Sequence, residues 1–130
     1  MRKLTVDVRP GEYVIARLDP AVPVPSPLLD PGAAFVSVTR TERELSVVCS
    51  AAAAPEGVVA ESGWRLLTVR GPLEFTLTGI MAALAGELAA AGVSLFAVST
   101  YDTDHLLVKD ADLSRAVTAL RSAGHDVHEG

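Results

Sequence analysis

The segment Thr100-Tyr101-Asp102-Thr103-Asp104 sets two hydroxyls, a phenol and two carboxylates within five consecutive residues. A ligand ammonium needs carboxylate or carbonyl acceptors, and a guanidinium pairs with a planar carboxylate, so Asp102 and Asp104 could hold a cation. The same composition also suits a solvated hairpin loop, where Asp and Thr bond to nearby backbone. A second candidate is the turn Gly71-Pro72-Leu73-Glu74. Gly71 has no Cβ, so backbone amides there can approach a ligand closely. A helix starting just beyond it favours an anion such as an α-carboxylate. A tight strand-to-helix turn explains the same residues more plainly.

Other chemistries find little to work with. His105, His125 and His128 are loosely spaced, and a metal would want further ligands in a defined geometry. Asp102 and Asp104, two positions apart in a hydrophilic loop, lack the burial that separates two carboxyl pKa values in a hydrolase. No G-x-S-x-G, P-loop or G-x-G-x-x-G motif occurs in the chain. Ser62 has no obvious His partner, Cys49 closes an apolar strand as an inert buried thiol does, and Trp64 suits a core anchor. The expectation is a protein that is not an enzyme and needs neither metal nor cofactor.

The 130 residues suit one domain, or two very small ones sharing a core, and 49% are hydrophobic, which excludes a disordered chain. A formal net charge of −5 with no Lys/Arg cluster argues against nucleic acid. The N-terminal MRKLTVDVRPGEY is broken by Asp7 and Arg9, so it cannot serve as a signal-peptide core. The apolar-rich stretch 73–93 carries Glu74, Thr76, Thr78, Gly79 and Glu87 and has an amphipathic rhythm, which suits no membrane span. A cytoplasmic protein away from membranes is expected.

Alternation predicts a strand over 4–8, and a run rich in β-forming residues a second over 13–18. Five prolines at 20, 23, 25, 27 and 31 forbid a regular strand there, leaving Leu28 and Leu29 to dock a short helical turn. Residues 35–39 and 45–49 read as strands joined by the polar linker 40–44, and Ala51 to Ala54 as a single turn cut short by Pro55 and Gly57. A strand over 64–69 precedes a helix from about Phe75 to Ala91, with Leu77, Met81, Leu84 and Leu88 on one stripe and Gly92 as its cap. Strands over 94–99 and 105–109 follow. A helix capped by Asp110 then presents Leu113, Val117 and Leu120, Gly124 ends it, and a short last strand lies near Val127.

The halves also echo each other: SVTRTERELSVV (37–48) aligns with AVSTYDTDHLLV (97–108) at an offset of 60, and Asp19-Pro20 with Gly71-Pro72 at 52. Duplication predicts a pseudo-twofold, with a site where the copies meet. The pieces E-S-G-W (61–64), G-P-L-E-F (71–75), L-T-G-I (77–80) and S-T-Y-D-T-D (99–104) resemble the tandem ACT-domain proteins related to the cytosolic arginine-sensor subunits of animal cells. EYVIARLDP and FVSVTRTERELSVVC look like that family's N-terminal half.

The resemblance implies an α+β fold of ferredoxin-like βαββαβ units in tandem, antiparallel sheets with helices on one face. It divides the chain into a degenerate half over 1–60 and an ACT domain over 61–130. It implies an amino-acid-binding regulatory or sensor module and a homodimer, with Gly71, Leu73, Glu74, Gly79, Ile80, Thr100, Tyr101, Asp102, Thr103 and Asp104 at the ligand. A protein–protein adaptor that kept the scaffold and lost the ligand is the alternative.

Overall fold

In the computed structural model, which describes residues 3–73 and 79–130, the chain runs β1 (Thr5–Val8), β2 (Tyr13–Leu18), β3 (Ser37–Arg40), β4 (Leu45–Ser50) and β5 (Val59–Val69). Helix α1 (Ile80–Ala90), strands β6 (Leu95–Ser99) and β7 (Asp104–Lys109), helix α2 (Leu113–Ser122) and β8 (Asp126–His128) follow. Contacts divide the residues into two units, Gly11–Trp64 and, together, Met1–Pro10 with Arg65–Gly130. Mixed α/β content, mostly antiparallel pairing and two helices agree with the expected α+β class.

The N-terminal unit is built on β2, which pairs antiparallel with β4 on one side and with the first part of β5 on the other. β3 pairs with β4 outside it. Where prolines exclude a strand, Ser26–Leu29 form a 3-10 turn. Of its two leucines only Leu28 docks, packing with Leu45, Val47 and Cys49, while Leu29 stays 66% exposed. Burial pushes the Cys49 thiol up, which keeps it protonated and unreactive. β5 starts five residues before the expected Trp64. Its residues 59–62 are exposed and do not alternate, so no periodicity marks them as strand. Gly63, at φ +81°, lets β5 carry one extra residue between the Ile15–Glu61 and Tyr13–Trp64 pairs, which is a bulge.

The C-terminal unit pairs Leu67–Val69 of β5 antiparallel with β1, and β8 lies parallel to β1. β7 pairs with β5 and with β6. Side chains two apart on these strands share a face, so Val6, Leu67, Val69, Leu106 and Val108 meet Leu84 and Leu88 of α1 and Val117 and Leu120 of α2 in one core. Both helices therefore cover one sheet face.

α1 begins at Ile80, and the part of the expected helix over 75–78 lies outside the described residues. Gly79 sits at φ +77°, a left-handed position that interrupts any helix running through it, and its carbonyl accepts the Ala83 amide at 2.8 Å. The stripe position Leu77 falls outside the described residues, whereas Leu84 and Leu88 are fully buried and Met81 is half-buried. Gly92, at φ +77°, caps the far end as expected, with Val93 N–H donating to Leu88 O (2.9 Å) and Gly92 N–H to Ala89 O (3.0 Å). Asp110 does not cap α2. It opens a 3-10 turn, Asp110–Asp112, and α2 starts after it without a side-chain cap bond. No described helix is long and apolar enough to cross a membrane.

The two hairpins repeat residue for residue, at an offset of 59. Arg40–Leu45 closes the first and Ser99–Asp104 the second. Thr41 N–H donates to Glu44 O at 2.9 Å, and Thr100 N–H to Thr103 O at 2.8 Å. Each threonine Oγ1 then accepts an amide, from Glu44 at 3.2 Å and from Thr103 at 3.3 Å. The 3-10 turns at Ala51–Ala53 and Asp110–Asp112 keep the same offset. Matching residue types gave 60 because it aligned the paired acids Glu42/Asp102 and Glu44/Asp104. The backbone aligns the threonines instead.

Candidate functional site

The β6–β7 hairpin presents its loop beside the turn that leaves β5, and what holds the two together is mostly backbone. Leu73 N–H donates to Asp102 O at 2.6 Å, and the Thr103 hydroxyl to Val69 O at 2.7 Å. A Cβ built on Gly71 would lie 3.0 Å from Asp102 O and 3.1 Å from Thr103 Cβ. The missing side chain of Gly71 thus admits the chain's own loop, where the sequence suggested a ligand. Its φ is not positive, so space and not backbone conformation demands the glycine here.

Between loop and helix lies a pocket of about 340 Å³, lined by Leu73, Gly79, Ile80, Met81, Ser99 and residues 100–104. That volume suits a small metabolite. One wall is the start of α1. Gly79 makes no side-chain cap bond and its carbonyl accepts the Ala83 amide, so among the described residues the Ile80, Met81 and Ala82 amides have no acceptor within the helix. The partial positive charge of a helix N-terminus faces the pocket there. Asp102, exposed, and Asp104, half-buried, also line the pocket. Leu73, Ile80 and Met81 supply apolar surface. Among the described residues the pocket thus pairs an anion-favouring end with a cation-favouring end.

Of the residues singled out from sequence, Leu73, Gly79, Ile80, Thr100, Tyr101, Asp102, Thr103 and Asp104 come together on this pocket. Gly71 stands behind the loop, and Glu74 lies outside the described residues. The threonine hydroxyls turn to their own backbone, Thr100 Oγ1 bonding Thr103 O at 3.1 Å, so they shape the loop. Tyr101 is 80% exposed at the rim.

Two lining residues escaped the sequence reading. Met81 belonged to the apolar stripe of its helix and looked like core alone. Ser99 closes β6, and its hydroxyl donates to Asp104 Oδ1 at 2.6 Å. The closing pair of a hairpin is the signal that could have found it.

The histidines do not gather. His105 Nδ1 lies 3.0 Å from Thr68 Oγ1; burial first, and then the Arg9 charge, hold its pKa below the usual value, against the opposing pull of Asp104. Buried His125 accepts the Leu4 amide on Nδ1 at 3.1 Å, which leaves Nε2 to donate to Glu87, 3.1 Å away. That imidazole ties β1 to α1. No group of three or more His, Cys, Asp or Glu among the described residues could hold a metal.

A family model described as an ACT domain matches residues 59–122, and a second, described as an N-terminal domain, matches 11–57. A solved structure of a protein from Agrobacterium tumefaciens is 36% identical, with a TM-score of 0.91 over 100% of this chain and 96% of that one. The ligand-free regulatory subunit of aspartate kinase from Thermus thermophilus shares the fold, with a TM-score of 0.66 at 14% identity over 92% of this chain and 96% of that one. The rat protein named cytosolic arginine sensor for mTORC1 subunit 1 is 41% identical over 59 residues, 45% of this chain and 18% of its own length. The chain thus matches only a minor part of that curated relative.

Proposed function

Since the chain belongs to the ACT-domain family, we propose that it is a regulatory module binding a free amino acid in the pocket of the C-terminal unit, without catalysis. One juxtaposition carries this: the start of α1, with no side-chain cap bond among the described residues, and the acids Asp102 and Asp104 line one pocket of about 340 Å³. A zwitterion satisfies both walls at once, its carboxylate at the helix and its ammonium at the loop. A sensor name on one relative and a regulatory subunit among the structural neighbours support the amino-acid class. The net charge of −5 supports a role apart from nucleic acid, and the cytosolic sensor name of one relative supports a cytoplasmic one.

A ligand that binds only the folded chain stabilises it by about 2.7 kcal/mol at a hundredfold excess over Kd. A thermal-shift screen of the twenty amino acids is expected to raise the melting temperature with a small subset of them. No shift at millimolar concentration with any of the twenty would refute the proposal.

We also propose that the chain works as a homodimer. β3, β6 and β8 each have a single partner strand among the described residues, and such edges invite pairing with a second copy. Light scattering should give twice the chain mass, and the mass of one chain would sink this part.

A further inference from the structure

The hairpin that forms the pocket loop has a twin in the N-terminal unit, and the twin ends differently. At the offset of 59, Ser99 corresponds to Arg40 and Asp104 to Leu45. Ser99 turns its short side chain to Asp104 and leaves the space in front of the hairpin open. Arg40 instead reaches across to the chain leaving β2, the counterpart of the chain leaving β5. There its guanidinium donates to Pro20 O through Nη1 and to Val22 O through Nη2, the second at 2.9 Å. Leu45, fully buried, replaces the carboxylate.

The acceptors are there for a reason in the sequence. Prolines 20, 23, 25 and 27 have no N–H, so this segment carries more carbonyls than local donors can serve. A planar group with several fixed N–H vectors can bond two such carbonyls together, which an ammonium point charge does less well.

We propose that the N-terminal unit retains a counterpart of the pocket, a guanidinium-accepting site on the Pro20 and Val22 carbonyls, and that Arg40 fills it from within as a tethered ligand. The chain then takes one free ligand and not two. Emptying the site should expose it to small guanidinium compounds, whatever the C-terminal pocket binds.

The test is a titration of full-length, 15N-labelled Arg40→Ala with methylguanidinium chloride at matched ionic strength, followed by the amide signals of Ala21, Val22 and Thr41. Saturable shifts with a millimolar midpoint are expected in the variant and none at those amides in the unaltered chain. A folded variant with no saturable response, or an unaltered chain that responds equally, would overturn the proposal. Should Arg40→Ala prove too unstable to record, Arg40→Leu, which keeps an apolar stem and has no donor to fill the site, carries the same test with the same outcomes. Because the probe is not an amino acid and reads a different unit, its failure is separate from that of the amino-acid screen.

Discussion

Asp104→Ala is expected to cut by half or more the rise in melting temperature that a bound amino acid produces, while leaving the unliganded chain nearly as stable as before. In the unliganded chain Asp104 makes one described side-chain hydrogen bond, from the Ser99 hydroxyl at 2.6 Å, in an exposed setting where water can replace it. Its loss should therefore cost no more than about 1 kcal/mol. In the proposed complex the half-buried carboxylate would accept the ligand ammonium at the cation-favouring end of the pocket. Removing one partner of a charge-assisted bond costs about 1.5–3 kcal/mol, or roughly ten- to a hundredfold in Kd. At a ligand concentration giving about 2.7 kcal/mol of stabilisation in the unaltered chain, about 1.4 kcal/mol would survive a tenfold loss in affinity and about 0.4 kcal/mol a hundredfold one. Paired thermal melts with and without the amino acid read both quantities. A variant whose ligand-dependent shift equals that of the unaltered chain would remove Asp104 from the site.

How much of this was legible in the chain differs from element to element. A strand with clean alternation, such as β1, one rich in β-forming residues, such as β2, and caps built on one glycine, such as Gly92, follow from local rules because local forces decide them. The start of β5 does not. Residues 59–62 are exposed and owe their extended form to pairing with β2, a partner more than forty residues away. The start of α1 is hidden for the opposite reason. Apolar spacing continues back to Leu77, yet the left-handed backbone at Gly79 sets the helix boundary, and a glycine within a periodic run does not declare its φ.

The allegiance of β1 is likewise a long-range fact. Val6 and Val8 say only that a strand exists, whereas the pairings Val6–Val69 and Val8–Leu67 assign it to the C-terminal unit. At the pocket, loop composition pointed to residues 100–104, and the resemblance added Leu73, Gly79 and Ile80. Neither could separate the lining residues from Gly71, whose contribution is space for backbone. Nor could they assign Met81, since one apolar side chain half-buried on a helix can serve core and pocket together.

Leu88→Ala should be among the most destabilising single truncations, and it should weaken the pocket from a distance. Leu88 is fully buried in the core where α1 and α2 meet the sheet, beside Leu84, Val93 and Leu120. Truncating a leucine in such a place loses its transfer free energy and leaves a cavity, together about 2–5 kcal/mol. Whole domains have only about 5–15 kcal/mol to lose. At roughly 4 °C per kcal/mol for a chain of this size, the melting temperature should fall by about 8–20 °C. Leu29→Ala makes the same chemical change at a residue 66% exposed, and its cost should stay within about 0.5 kcal/mol. The coupling to function runs through the helix: α1 carries Gly79, Ile80 and Met81 into the pocket wall, so a looser seat at Leu88 blurs the position of its first amides. Urea melts of both variants give the stabilities, and the thermal-shift response at fixed amino-acid concentration gives the pocket. Equal costs for Leu88→Ala and Leu29→Ala would mean that α1 is not packed as described, and with it the wall that receives the ligand carboxylate would fall.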